Sequence, residues 1–437
     1  MSTDAMYNSQ SRFLHQKLKV YFSPGQDPVE ITRDNYLISS TLFEESGKIS
    51  DSPFGDVTSN ELSCVLLNEN GIFNPINTQG PYYGKIRRGL RIEAFIRPDE
   101  EEEWDPQGVF YVTDWLTATT GLHADFTAYD ALYNVIHGPI PSLPVYKDIP
   151  FNEFAEIFFG FFGYTVKTDI TTILPYVYTS GYSSNKVFLT DLMKSIVAEC
   201  FCNHSGEICI ISKIATRDTR AKFTDDDQII SIDIKQSITT NYDSVSVEYH
   251  QCRELENQKI LDVPTVDLKT GMNETSKFTF NSQPVLAVTS VKNTGTELAR
   301  VITFQASSKD FAAEIQSIAD TETSLIVGGT LLDSIKISTG EELEEPLRIS
   351  STFIQNENTA QTIKDYCSAY IASNSPSLNL VVRGNPKLQL GDKIEVHSIK
   401  YKTDYVGILS NAQYDYEGSL SCKMTLINAS FLRGDVV

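Results

Sequence analysis

The segment at residues 60–137 constrains the fold more than any other part of the sequence. Leu62, Cys64 and Leu66 recur at every second position, a period that predicts a β-strand with one buried face. Residues 68–71 then predict a tight turn, because Asn and Gly tolerate positive φ. A strand with one buried face must pack against a core, so this segment is expected to begin a sheet.

A loop and further strands follow this turn. Gly84 and Gly89 bracket a short basic segment of the loop, which leads into a predicted strand over residues 90–96. A helix is predicted to begin near Ala128. The order of strand, turn, loop, strands and helix predicts a small closed or nearly closed β-barrel that leads into a helical unit.

The same residues resemble a family motif. The patterns L-S/T-x-x-L-x-N-x-x-G-x-F-x-P, P-Y-Y-G-K-x-R-x-G, G-x-F-Y-V-x-D-W and T-A-Y-D-x-L are similar to those of the baseplate hub proteins of bacteriophage tails. Near the C-terminus, N-P-x-L-x-L-G-D-x-I-x-V resembles a further element of that family. The structural motif positions are Asn68, Gly71, Phe73, Pro75, Tyr82, Tyr83, Gly84, Tyr129, Asp130, Gly391 and Asp392.

The resemblance implies an architecture and a role for the chain. It implies an α+β, mainly β fold with two β-barrel tube-type domains, a small helical or mixed domain and an inserted β-rich domain. It also implies a structural virion protein, a homotrimer that forms a ring at the tip of the tail tube. That ring would adapt a sixfold tube to a threefold tip and form part of the DNA ejection channel.

The resemblance also implies partners and a location. The expected partners are further copies of the chain, the distal tail or tail tube protein, the tape measure protein, and tail spike, fibre or other baseplate proteins. The expected location is the tail tip or baseplate of the virion, after assembly in the host cytoplasm.

The predicted elements divide the chain into four domains. Residues 1–137 form the first β-barrel domain, and residues 138–212 form the helical or mixed domain. Residues 213–256 and 371–437 together form the second β-barrel domain. The inserted β-rich domain, residues 257–370, ends in a closing helix.

Two helices are predicted in the helical domain. Phe151, Phe154, Phe158 and Phe161 recur at helical spacing and predict a short helix that buries a wide aromatic stripe. A second helix is predicted over residues 187–202, followed by a Gly turn and a strand. Packing in the core is favoured over membrane insertion for the aromatic stripe, because the first helix is too short to span a bilayer.

Further elements are predicted towards the C-terminus. A strand over residues 244–249 is expected to help open the second barrel, and residues 309–319 carry a brief helical pattern. Residues 357–372 predict a longer helix with one apolar face and with Asn358 as its cap.

Composition restricts the class of protein. A chain of 437 residues with 41% hydrophobic and 21% charged residues is long enough for two to four globular domains. It has no apolar run of about 18 residues, so no stable membrane insertion is expected. The polar N-terminus lacks a secretory signal, and the seven cysteines are expected to be reduced.

The charge balance bears on nucleic acid. The chain has 57 acidic and 36 basic residues, a formal net charge of -21, which disfavours stable binding to a phosphate backbone. DNA is therefore expected only as transiting cargo. Carboxylates that line a lumen would repel DNA, whereas an acidic exterior would serve solubility, and the sequence leaves both interpretations open.

Two segments carry residue types that can bind metal ions. Cys200, Cys202, His204 and Cys209 lie within ten residues, but Cys200 and Cys202 are separated by one residue instead of the two of a zinc knuckle. Buried thiols are therefore favoured over a zinc site. The acidic run at residues 99–103 lacks the spacing of a calcium loop and predicts a solvated hairpin loop.

Enzyme motifs are absent from the sequence. It contains no Gly-x-Ser-x-Gly elbow, no His-Glu-x-x-His and no Gly-rich phosphate loop followed by Lys. The prediction is a non-enzymatic protein without cofactor or metal. Two alternatives stay open: a peptidoglycan hydrolase of the tail tip with paired carboxylates, and a distal tail or carbohydrate-binding tip component.

Overall fold

The protein is mainly β and belongs to the α+β class, as predicted. The part of the chain that the computed structural model describes contains 26 strands and four α-helices. The description covers residue 7 and residues 12–46, 53–99, 101–117, 121–224, 229–235, 242–340, 343–373, 376–398 and 403–432.

Seven N-terminal strands form the first group of a large sheet. They are β1 (Leu14–Val20), β2 (Val29–Thr32), β3 (Leu37–Glu45), β4 (Glu61–Leu67), β5 (Arg91–Pro98), β6 (Asp105–Thr117) and β7 (His123–Tyr129). They pair antiparallel in the order β3-β4-β7-β6-β5-β1-β2. Buried positions alternate along β1 and β4, so the predicted period of two is confirmed there.

A mixed unit of helices and short strands follows. Its elements are α1 (Ala131–His137), β8 (Tyr146–Pro150), α2 (Phe151–Gly160), β9 (Val166–Thr168), β10 (Ile173–Val177), α3 (Asn185–Ser195), β11 (Ala198–Cys202) and β12 (Ile208–Ser212). The strands form a β10-β8 pair and a β11-β12-β9 sheet. Buried aromatic rings pack between the helices, with the Phe158 and Phe188 ring centroids 5.0 Å apart.

Two predictions in this unit require correction. Phe161 is 56% exposed, because α2 ends at Gly160, and Phe159 is buried in the aromatic core instead. The helix predicted over residues 187–202 ends at Ser195, and its last part is strand β11. Every residue of β11 is buried, and an apolar run of this kind does not distinguish a buried helix from a buried strand.

The next part of the chain contributes two strands to the large sheet and then forms two smaller sheets. In chain order the elements are β13 (Thr219–Thr224), β14 (Ile229–Lys235), β15 (Ser244–Leu268), β16 (Gly271–Glu274), β17 (Phe278–Thr279), β18 (Val285–Asn293), β19 (Ala299–Ala306), β20 (Asp310–Ser317), β21 (Thr321–Thr339), β22 (Pro346–Ser350) and α4 (Glu357–Ser373). One small sheet has the order β18-β21-β15-β22, and in the other β16, β17 and β19 pair with β20.

Two predictions in this region are wrong. Residues 244–249 do not pair with the second group of the large sheet, because they begin β15, which pairs with β21 and β22. The helical pattern at residues 309–319 is strand β20. Phe311, Ala313 and Ile315 are buried at every second position there, which is the period of a strand.

The long helix α4 was predicted correctly, but its cap was not. Asn356, and not Asn358, caps it: the Asn356 Oδ1 accepts a hydrogen bond from the Thr359 N at 2.8 Å. Ala360, Ile363 and Cys367 form its buried face. Among the helices that the structure describes, none is long and apolar enough to cross a bilayer.

The C-terminal strands complete a sheet of 13 strands. They are β23 (Ser377–Val382), β24 (Lys393–Ser398), β25 (Thr403–Tyr416) and β26 (Leu420–Leu432). The second group has the order β14-β23-β26-β25-β24-β13, and β25 also pairs with β3 of the first group. Both groups therefore belong to one sheet and share one hydrophobic core.

The sheet curls within the first group. The Ser40 hydroxyl donates a hydrogen bond to the Gln16 Oε1 at 2.5 Å, although four strands separate β3 from β1 along the sheet. Backbone pairing between described residues closes neither group into a cylinder. The two barrels and the four domain boundaries thus stay predictions, and β15 runs across the boundary predicted at residue 256.

Candidate assembly surface

The loop between β4 and β5, residues 68–90, is called the latch loop below. It begins with the predicted turn, where Asn70 and Gly71 have φ values of 55° and 65°. The Asn68 Oδ1 accepts a hydrogen bond from the Phe73 N at 2.8 Å, and this bond closes the turn. The turn directs the Phe73 side chain into the core, where it is fully buried.

A row of aromatic rings fixes the latch loop to the sheet. Tyr82 stacks between Phe22 and Phe73, with ring centroids 4.0 and 5.4 Å away. The Trp115 Nε1 donates to the Phe73 carbonyl oxygen at 3.0 Å, and the Trp115 ring stacks on Phe126 at 5.2 Å. These contacts explain why the motif requires aromatic residues at positions 73 and 82.

The outer face of the latch loop is apolar and basic. Ile76 is 74% exposed and Tyr83 is 51% exposed. Lys85, Arg87 and Arg88, called the basic segment below, are exposed and form no ion pair with any other residue that the structure describes. The motif positions Pro75 and Gly84 shape this face, Pro75 half-buried and Gly84 at a φ of 68°.

A buried carboxyl group joins the sheet to the mixed unit. The Asp130 Oδ1 accepts from the Leu132 N at 3.0 Å and caps α1, and its Oδ2 accepts from the Asn60 N at 2.8 Å. The Asn60 side chain in turn donates to the Cys202 carbonyl oxygen in β11 at 3.0 Å. Burial raises the pKa of Asp130 to about 7. Asp130 is therefore a framework residue.

Tyr129 lies beside this junction. Its hydroxyl donates to the Glu61 Oε2 at 2.9 Å, and its ring stacks on Tyr133 at 4.5 Å. Burial is the largest cause that raises the pKa of Tyr129, and the hydrogen bond to Glu61 is the second. The pKa of Tyr129 is raised to about 12. The phenol thus stays protonated and holds β4 against α1.

The C-terminal motif holds the other side of the mixed unit. The Gly391 carbonyl oxygen accepts a hydrogen bond from the Arg217 guanidinium, and the Asp392 Oδ2 accepts from the Gln389 N at 2.9 Å. Burial raises the pKa of Asp392. The motif positions thus lie in three places, the latch loop and two junctions, and do not converge on one pocket.

A buried ion pair that sequence reasoning missed lies between these junctions. The His204 Nε2 and the Glu44 Oε1 are 2.9 Å apart, and both side chains are buried. Burial alone would lower the pKa of His204, but the attraction of Glu44 raises it above its usual value. No sequence pattern predicts this pair, because its members are 160 positions apart.

A cleft of about 630 Å³ separates the mixed unit from the second strand group. Its charged lining is mixed and includes Lys167, Arg217, Lys387, Glu207 and Asp392. Arg217 is bound to the Gly391 carbonyl, and Lys387 lies 3.6 Å from Asp105. These groups already serve as structural contacts, so the cleft carries no set of free groups aimed at one ligand.

The four residues weighed as zinc ligands lie in β11, in β12 and in the turn between them. Cys200 and Cys202 are buried in β11, and burial raises the pKa of both thiols. His204 is engaged by Glu44. Within the described residues, no group of three or more His, Cys, Asp or Glu side chains could hold a metal ion.

The edges of the large sheet are its most open feature. The main path through the sheet ends at β2 on one side and at β14 on the other, and a branch from β25 ends at β13. The outer edge of β14 has no backbone partner among the described strands, and its Ile230 and Ile234 are 65% and 46% exposed. An apolar strand with an unpaired edge is a template for pairing with another chain.

Solved structures provide the comparison for this fold. A tail protein from Neisseria meningitidis superimposes with a TM-score of 0.55 at 10% identity, covering 95% of this chain and 96% of that chain. The 43 kDa tail protein of prophage MuSo2 from Shewanella oneidensis gives a TM-score of 0.52 at 10% identity, with 94% and 97% covered. The chain has the fold of phage tail proteins.

The similarity to known tail proteins is found by comparing structures and not by comparing whole sequences. No protein-family model matches the chain, and no curated protein matches it by sequence. At 10% identity the comparison supports the fold alone. The structures therefore confirm the resemblance to phage tail proteins as a similarity of fold.

Proposed function

We propose that this protein is a structural hub of the phage tail tip that assembles as a homotrimeric ring. The observation that supports this proposal best is the single 13-stranded sheet built from two strand groups with open edges. Three copies would contribute six strand groups, which matches a sixfold tube to a threefold tip. The tail-protein fold supports a structural role.

In this proposal the two cylinders close only on assembly. Edge strand β14 of one copy pairs with an open edge of the next, and the contact is heterologous because it joins two different edges. Because Ile230 and Ile234 are already partly buried, covering the rest of each side chain in that contact contributes on the order of 1–2 kcal/mol. The closed ring then forms part of the wall of a channel.

The ring would pass DNA without retaining it. A net charge of -21 on each copy repels the phosphate backbone, so DNA is cargo and not a ligand. The faces of the ring would contact the distal tail or tail tube protein, the tape measure protein, and spike, fibre or other baseplate proteins. The protein would act at the tail tip of the virion, without catalytic activity.

Solution mass tests the ring. Native mass spectrometry is expected to give three times the 48.8 kDa of the chain, and negative-stain micrographs are expected to contain rings. The double variant Ile230→Lys, Ile234→Lys places charges on the open edge and is expected to give monomers with unchanged circular dichroism. Ile318→Lys, at another exposed isoleucine, is the control and should stay trimeric.

The same measurement addresses the alternatives. A stable monomer at high concentration would contradict the hub proposal. A mass of six chains would favour a distal tail ring, and cleavage of purified peptidoglycan in a zymogram would favour a hydrolase.

A further inference from the structure

The basic segment places three exposed cations close together on the latch loop. Lys85, Arg87 and Arg88 are exposed, and none of them pairs with an acidic group in the described part of the chain. Two cations on the nearby strands β1 and β5 do have partners, and one of them, Lys17, lies 3.1 Å from Glu30. The other, Arg91, lies 2.7 Å from Glu93. Three free cations within four positions, on a chain of net charge -21, form a surface that fits an anionic partner.

The latch loop holds these cations in a defined position. Tyr82, three positions before Lys85, is stacked between two rings, and the Gly89 N donates to the Val112 carbonyl oxygen at 2.7 Å. The loop is therefore fixed on both sides of the basic segment. A surface ordered before binding loses less conformational entropy when a partner docks.

A complementary surface lies at the other end of β5. The acidic loop, residues 99–103, follows β5 directly, and Glu102 and Glu103 are exposed. Asp99 pairs with His15 at 2.7 Å, whereas Glu101, Glu102 and Glu103 form no ion pair with another described residue.

Contacts hold the described part of this acidic loop, residues 101–103. The Arg97 guanidinium donates to the Glu101 carbonyl oxygen and lies 4.9 Å from the centroid of the Trp104 ring. The eight residues of β5 separate the basic segment from the acidic loop by roughly 25 Å, at about 3.3 Å per residue. The two surfaces therefore cannot neutralise each other within one chain.

We propose that the basic segment of one copy binds the acidic loop of the next copy, through Lys85, Arg87 and Arg88 against Glu101, Glu102 and Glu103. This contact rests on the proposed ring, in which each copy presents different surfaces to its two neighbours. Copies that each carry a charge of -21 repel one another, and a local pairing of opposite charge offsets that repulsion and fixes the orientation of docking. The exposed Tyr83 and Ile76 of the same loop would add apolar contact area.

A charge-swap series tests this contact by sedimentation in 50 mM and 500 mM NaCl. The basic reversal Lys85→Glu, Arg87→Glu, Arg88→Glu is expected to weaken association by about 10- to 100-fold, and wild type is expected to weaken with salt. The acidic reversal Glu101→Lys, Glu102→Lys, Glu103→Lys should weaken it similarly. The chain that carries both reversals should recover association, because opposite charges again meet.

The control keeps the same change in net charge elsewhere. Lys277→Glu, Lys292→Glu, Arg300→Glu alters three exposed cations of the small sheets and is expected to leave association unchanged.

Each contrary outcome has a distinct meaning. A wild-type trimer that survives both reversals would overturn the contact while leaving the ring intact. A wild type that stays monomeric would overturn the ring and the contact with it. Retention of duplex DNA at 150 mM NaCl by wild type, lost in the basic reversal without a change in mass, would overturn the contact in favour of nucleic acid.

Discussion

Replacing Phe73 by Ala should release the latch loop from the sheet. Phe73 is fully buried, and its ring centroid lies 5.2 Å from that of Tyr36, 5.4 Å from Tyr82 and 6.2 Å from Trp115. Truncating a buried Phe costs about 3–5 kcal/mol, because transfer energy is lost and a cavity remains. We expect this loss to fall mainly on the latch loop, since residues 75–85 of the loop are largely exposed.

Limited proteolysis measures this opening. A loss of about 3 kcal/mol raises the population of the detached loop by roughly 100-fold, since 1.4 kcal/mol is a factor of ten. Trypsin cleaves after Lys and Arg, so cleavage after Lys85, Arg87 and Arg88 should accelerate by a similar factor when opening is fast. Ile76→Ala, at an exposed position of the same loop, is the control and should cleave at the wild-type rate.

A double-mutant cycle isolates the ring contact itself. Phe73 and Tyr82 are stacked, so Phe73→Ala and Tyr82→Ala should be coupled by about 0.5–1.5 kcal/mol. A Phe73→Ala protein whose latch loop resists trypsin as wild type does would refute the reasoning. The loop would then be held by contacts other than the aromatic row.

Two further predictions concern buried charges. Burial raises the pKa of Asp130 to about 7, so between pH 4 and pH 7 the folded state holds a proton that the unfolded state has released. The free energy of unfolding should therefore fall as pH rises through this window. At 1.4 kcal/mol per pKa unit the fall is up to about 4 kcal/mol. In Asp130→Asn, the difference between the urea unfolding midpoints at pH 5 and pH 8 should become smaller than in wild type. A variant with the wild-type pH dependence would contradict this. His204→Ala leaves the Glu44 carboxylate buried without its partner. This variant should lower the free energy of unfolding, measured in urea, by about 3–5 kcal/mol. The double variant Glu44→Leu, His204→Phe should recover most of that loss. The pKa of His204 is raised in the folded state, so the contribution of this pair should be full below pH 6.5 and fall as pH rises above it. Equal unfolding midpoints for wild type and His204→Ala would rule the pair out as a stabilising contact.

The sequence was most informative where period and turn chemistry agree. Along β4 the period of two and the Asn-Gly turn predict the same strand and the same turn, and both are present. The motif resemblance predicted the tail-protein fold correctly. Residues of the motif such as Phe73 and Asp130 fix the path of the chain, so they carry information about the fold. These residues identify a framework, and for that reason they do not mark a binding site.

Tertiary structure decided the points that sequence reasoning missed. The boundary predicted at residue 256 falls inside strand β15, where a bulge interrupts the alternation, with a register shift between Leu255 and Gln258 and a positive φ at Asn257. Strand β20 contains Ala and Glu residues that also suit a helix, and pairing with its neighbours fixed it as a strand. The pairing of β25 with β3, which joins both groups into one sheet, involves residues more than 360 positions apart.

Hydrogen–deuterium exchange of the edge strand tests the central claim most directly. The amides of β14, residues 229–235, should be measured at protein concentrations below and above the assembly threshold found by mass. If the sheet closes through contacts between copies, protection of the outward amides of β14 should rise with assembly, and it should stay low in Ile230→Lys, Ile234→Lys. Equal exchange in monomer and trimer would contradict closure of the sheet at this edge.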